Sequence, residues 1–78
     1  MQSQNPDIPP SDRWMPRQGE RYFLILGNGT IQGFQWHGTD FDREAWGFGN
    51  CFRLRRQAIE ARDGMKEYLA TFHREHKQ

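Results

Sequence analysis

Cysteine is nearly absent from this chain. Cys51 is the single one in 78 residues, so no internal disulfide can form. Clusters of Cys and His at short spacing are missing as well, which leaves no basis for a structural zinc site. No apolar run approaches the roughly 20 residues of a membrane span. The first ten residues lack the basic and apolar regions of a secretory signal. Neither sign of charge dominates: eleven Lys and Arg stand against ten Asp and Glu, for a net charge of +1. A dedicated duplex-DNA binder is usually far more lopsided. These absences read as a cytoplasmic protein without membrane contact, in a reducing compartment that suits a lone cysteine.

Aromatic residues are what the chain has in surplus. Three Trp, six Phe and two Tyr accompany a mean hydropathy of −1.04. Polar chains that stay disordered are poor in such rings. A chain this short buries only roughly 60–65% of its unfolded surface. With nothing to staple it, its core must rest on aromatic burial, at about 150–250 Å² per ring. The fold is monomeric or relies on a homodimer for the remainder.

The pattern predicts an α+β fold: a β-hairpin, with a short third strand, packed against one long C-terminal α-helix. Residues 1–13, with Pro6, Pro9 and Pro10, read as a flexible tail, and residues 14–78 as one small domain. The strand-like runs 20–26 and 31–36 flank Gly27-Asn28-Gly29-Thr30, a strong hairpin signal. A two-residue turn sets Leu26 opposite Ile31 and Phe23 opposite Phe34, whereas a three-residue loop shifts the pairing by one. In the first register both faces of the hairpin carry large apolar groups. One helix covers one face, and the other must meet the tail, the 37–50 segment or a partner. In that segment Thr39 or Asp40 caps a short helical turn, and Phe41, Trp46 and Phe48 are expected to turn inward. Residues 50–53 form the third strand. The long helix, from about Arg55 to about His73, carries Ala58, Ala61, Met65, Leu69 and Phe72 as one apolar stripe. Gly64 lies within it, where close approach to the sheet would explain a glycine.

The order Trp14-x-Pro16-x-x-Gly19-Glu20-x-Tyr22, Gly29-x-Ile31, Trp36, Phe41-Asp42 and Phe48-Gly49-Asn50-x-Phe52, followed by a helix with Ala58, resembles a widespread set of small phage and prophage proteins. The resemblance spans residues 14–72. It implies a fold and a phage-encoded setting, hence the cytoplasm of a host cell, but no activity and no functional residues. The chain departs from that set in its diluted acidic stretch after Trp36 and in its basic helix start, Leu54-Arg55-Arg56. An acidic surface is therefore not carried over.

No catalytic site is read, and no cofactor or metal is implied. Cys51 with His37 as nucleophile and base lacks a third partner, so a structural cysteine is the simpler reading. His73 and His76 lack an assured third ligand. Asp40, Asp42 and Glu44 suit capping and surface pairing better than acid–base work. The residues singled out for binding are Phe34, Trp36, Trp46, Arg53, Arg55 and Arg56. Arginine beside exposed aromatics marks protein interfaces and single-strand nucleic-acid platforms alike. Otherwise the rings are core and the arginines solvated. The expectation is a non-enzymatic accessory protein that docks on a host or phage protein, inhibition of a host defence system in the manner of anti-CRISPR proteins being its specific form. The alternative is a small nucleic-acid-binding module built on the same residues.

Overall fold

A computed structural model of the chain describes residues 13–77, so all but one residue of the expected tail lies outside the described residues. Two antiparallel strands, β1 (Arg21–Ile25) and β2 (Ile31–Gln35), are followed by α1 (Asp40–Phe48) and α2 (Arg55–Glu75). The α+β hairpin with a long C-terminal helix is thus present, together with a second, shorter helix.

The hairpin loop is the three-residue kind. Leu26 N–H donates to the Thr30 carbonyl at 2.8 Å, and Gly29 N–H turns back to Leu26 O at 2.8 Å. Gly29 takes a φ of 88°, which only glycine adopts freely. Ile25 therefore faces Ile31, and Tyr22 faces Phe34. This is the register displaced by one from the two-residue pairing, and it moves Phe34 and Trp36 onto the face of Tyr22 and Leu24.

That face holds the main core. Tyr22, Leu24 and Trp36 are buried, with Trp14, Phe34, Ala45 and Trp46 packed around them. The segment expected as an irregular link closes over it as α1. Thr39 Oγ1 accepts from Asp42 N–H at 3.2 Å, and the Asp42 carboxylate returns to Thr39 N–H at 3.2 Å, so both groups are satisfied at the helix start. Gly49, at a φ of 98°, ends the helix, with Asn50 N–H reaching back to Ala45 O at 2.8 Å.

The inward face of α1 runs through Asp42, Ala45 and Trp46. Phe41 and Phe48 consequently lie on its outer side, at 52% and 85% exposure, and do not turn inward as expected. Asp42 wins the inward position because its partner, the Tyr22 hydroxyl, is itself buried.

The third strand shrinks to one residue. Phe23 and Phe52 exchange backbone hydrogen bonds of 2.9 and 2.8 Å. Beside them the Asn50 carboxamide stands in for a strand peptide, accepting from Ile25 N–H at 2.8 Å and donating to Ile25 O at 2.9 Å. The edge of β1 is covered without a ladder.

The opposite face, with Ile25 and Ile31, lies toward α2, which contacts both strands. Ala58 is fully buried there. Ile59, Ala61 and Arg62 are half-buried, and every residue from 63 to 77 is exposed. A Cβ at Gly64 would meet nothing, so close approach to the sheet is not the reason for that glycine.

Candidate functional site

The six residues singled out by sequence separate in space. Trp36, 7% exposed, meets the Tyr22 ring edge-on at 5.8 Å and belongs to the core. Phe34 is half-buried between Tyr22 and Phe41, at 6.1 and 5.5 Å. Neither offers a free face. Arg55 and Arg56 are exposed on the first turn of α2. Trp46 and Arg53 do come together. Trp46 Nε1–H donates to Trp14 O at 2.9 Å, the Arg13 guanidinium lies 4.4 Å over the Trp46 ring, and Arg53 lies 6.0 Å over Trp14. An open groove of about 700 Å³ passes between these groups, with Glu60 on its rim.

Acid–base and nucleophilic chemistry finds little to use. Burial, reinforced by the negative charge of Asp42, pushes the Cys51 thiol up to about 11, so it is protonated at neutral pH. His37 is exposed, with Nδ1 3.0 Å from Gln18 Nε2. Asp42 is the one buried carboxylate among the described residues. Burial alone would raise its pKa. Hydrogen bonds from Tyr22 Oη–H at 2.6 Å, His37 N–H at 2.8 Å and Thr39 hold it down to about 2. Burial and the same bond raise Tyr22 above its ordinary value. This pair ties β1 to α1, and its oxygens are occupied. His76 stacks on Phe72 at 4.2 Å and turns Nδ1 to Phe72 O at 2.9 Å. Among the described residues no group of three His, Cys, Asp or Glu is placed to hold a metal ion.

The surface that sequence reasoning missed is the second half of α2. Met65, Tyr68 and Leu69 are 47%, 67% and 49% exposed, with Phe72 beside them. The stripe itself was legible, but how far the hairpin reaches along it was not. A length comparison reveals the excess: 21 helical residues extend about 31 Å, whereas five strand residues extend about 17 Å. The hairpin therefore shelters only half of the stripe. Comparison with protein families, curated proteins and solved structures finds no match to this chain.

Proposed function

We propose that this chain is a non-catalytic docking protein that binds another protein through the free half of α2. One observation carries the reading: Met65, Tyr68, Leu69 and Phe72 form an apolar strip on one side of α2 that stays 37–67% exposed. Contiguous apolar surface on a small polar chain is costly to leave in water and marks interaction sites. Aromatic side chains at its centre suit an interface hot spot. The likeness to small phage proteins supplies a setting, in which a host or phage protein is the partner and occlusion of a host defence complex is the specific form.

The test compares retention of host proteins by immobilised wild-type chain and by the Leu69→Asp variant, with circular dichroism to show that both are folded. The reading expects a specific protein held by the wild type and lost by the variant. Equal retention by both, or none by either, overturns it.

The paired stacks of Arg13 on Trp46 and Arg53 over Trp14 favour a second reading, single-stranded nucleic acid in the neighbouring groove. It ranks lower because Arg13 already occupies one face of Trp46 and Glu60 opposes a phosphate at the rim. It expects a labelled oligonucleotide to bind at about 50 mM salt and Arg53→Glu to release it. Absence of binding at that salt removes it.

A further inference from the structure

We propose that the open edge of β2 accepts an extended segment of a partner protein as a third strand, with an acidic side chain opposite Gly33 and against the Arg21 guanidinium. This surface is separate from the strip on α2 and does not depend on it. Backbone direction defines the edge. Leu26 N–H donates to Thr30 O and Trp36 N–H donates to Glu20 O, so the even-numbered residues of the hairpin bond across it. In an antiparallel pair the residues between them turn N–H and C=O outward. On β1 those outward groups are satisfied: Phe23 exchanges bonds with Phe52, and Ile25 with the Asn50 carboxamide. On β2 they belong to Ile31, Gly33 and Gln35, and among the described residues no hydrogen bond reaches them.

Such an edge templates another strand unless charge, proline or a bulge blocks it. β2 reads Ile-Gln-Gly-Phe-Gln, with no charge and no proline, and its register runs without a bulge. Only an extended backbone matches this alternation of donors and acceptors, since a helix bonds its own groups internally. Gly33 decides what that strand carries. A Cβ there would collide with the Arg21 guanidinium and lie 3.3 Å from the Phe23 ring. Arg21 thus reaches across β2 through the space a side chain would fill. It makes no ion pair among the described residues, and the adjacent Glu20 carboxylate accepts from Arg17 N–H at 2.8 Å. An added strand lies about 4.8 Å beyond β2, and its residue opposite Gly33 points to the face that Arg21 crosses. A carboxylate there receives charge-assisted hydrogen bonds from the guanidinium. The residues on either side of it point to the other face, toward the half-buried ring of Phe34. The fitting segment therefore alternates apolar, acidic, apolar.

A second copy fits less well. Full antiparallel overlap of two β2 edges sets Gly33 opposite Gly33 and brings the Arg21 guanidinium groups of both copies together. Neither strand has an acid to separate these like charges.

Fluorescence anisotropy with the full chain and a labelled peptide of about nine residues, with Val on either side of a central Glu, tests the assignment. The Glu peptide is expected to bind, and its Lys-centred analogue at least about tenfold more weakly, the scale of one charge-assisted hydrogen-bonded pair. N-methylation of the central amide removes the donor to Gly33 O and should abolish binding. N-methylation of the next amide, which faces away from β2, should leave binding intact. Arg21→Glu should invert the preference between the Glu and Lys peptides. Gln35→Pro removes one outward donor and no bond of the hairpin ladder, so it should weaken both peptides while circular dichroism stays unchanged. Leu69→Asp should change nothing. No binding at about 100 µM peptide, or equal loss from either N-methylation, overturns the third strand. Equal binding of the Glu and Lys peptides overturns the acidic partner. Loss of binding in Leu69→Asp overturns the edge in favour of the strip on α2. A dimer at micromolar concentration that Gln35→Pro dissociates overturns the proposal in favour of a second copy.

Discussion

Asp42 concentrates more of this fold's specificity than any other residue. Its carboxylate accepts from the Tyr22 hydroxyl, the His37 N–H and the Thr39 N–H, while its own N–H is capped by Thr39. Asp42→Asn removes the charge that strengthens these bonds, and about 2–3 kcal/mol of stability should go with it. Tyr22→Phe should cost about 1.5 kcal/mol. Urea unfolding at neutral pH reads both. The pH dependence has a definite sign. The folded pKa, about 2, lies below the ordinary value of 3.8, so the stabilisation is complete above that ordinary value and is lost as pH falls through the folded one. Wild type should lose about 2 kcal/mol between roughly pH 4 and pH 2 through this group. Unfolding curves of Asp42→Asn should lack that component, and an identical acid slope in the two proteins would remove Asp42 as its source. Cys51 gives a second check at this scale. With its pKa near 11 the folded thiolate is scarce at pH 8, so a disulfide reagent should react about a hundredfold more slowly than with the urea-unfolded chain.

At the scale of elements, α2 divides at Gly64. Its first two turns are held by Ala58 and by the bond from Arg62 to Gly29, while the remainder has only its own backbone ladder and exposed side chains. Isolated helical turns are marginal in water. Amides of residues 66–76 should therefore exchange with solvent orders of magnitude faster than those of residues 58–62, and hydrogen exchange followed by mass spectrometry separates the two groups. Equal protection along the whole helix would contradict this division. Because a Cβ at Gly64 meets nothing, Gly64→Ala should raise helicity and stabilise by up to about 1 kcal/mol. The hairpin and the long helix were legible in the sequence because their signals are local: Asn28-Gly29 between apolar runs, and apolar residues three and four apart. The register was not, since a single loop residue decides it. The facing of α1 was not either. Nothing near Phe41 or Phe48 in the chain announces that Asp42 will turn inward, because its partner Tyr22 stands twenty residues upstream. Trp36 looked like a binding residue only while its face was undecided, and the one-residue shift made it core.

More than half of α2 lies beyond the turns that pack on the hairpin, and every residue from 63 to 77 is exposed. In a chain with so thin a core, apolar residues held outside it are surface given up to another purpose, since Met65, Tyr68, Leu69 and Phe72 could have shielded a hairpin face had the helix been shorter and differently placed. Stability and docking should therefore separate cleanly. Ending the chain after Ala70 removes Phe72, His73 and Lys77 but no residue of the hairpin, of α1 or of the packed turns of α2. Its urea midpoint should move by no more than the equivalent of about 0.5 kcal/mol, as for changes on exposed surface. Retention of the partner protein by the immobilised chain should fall, because Phe72 leaves the strip. Should the truncated chain instead unfold, the terminal turns would have to be structural, and the exposed strip would be part of the fold's own stability and not a surface reserved for a partner.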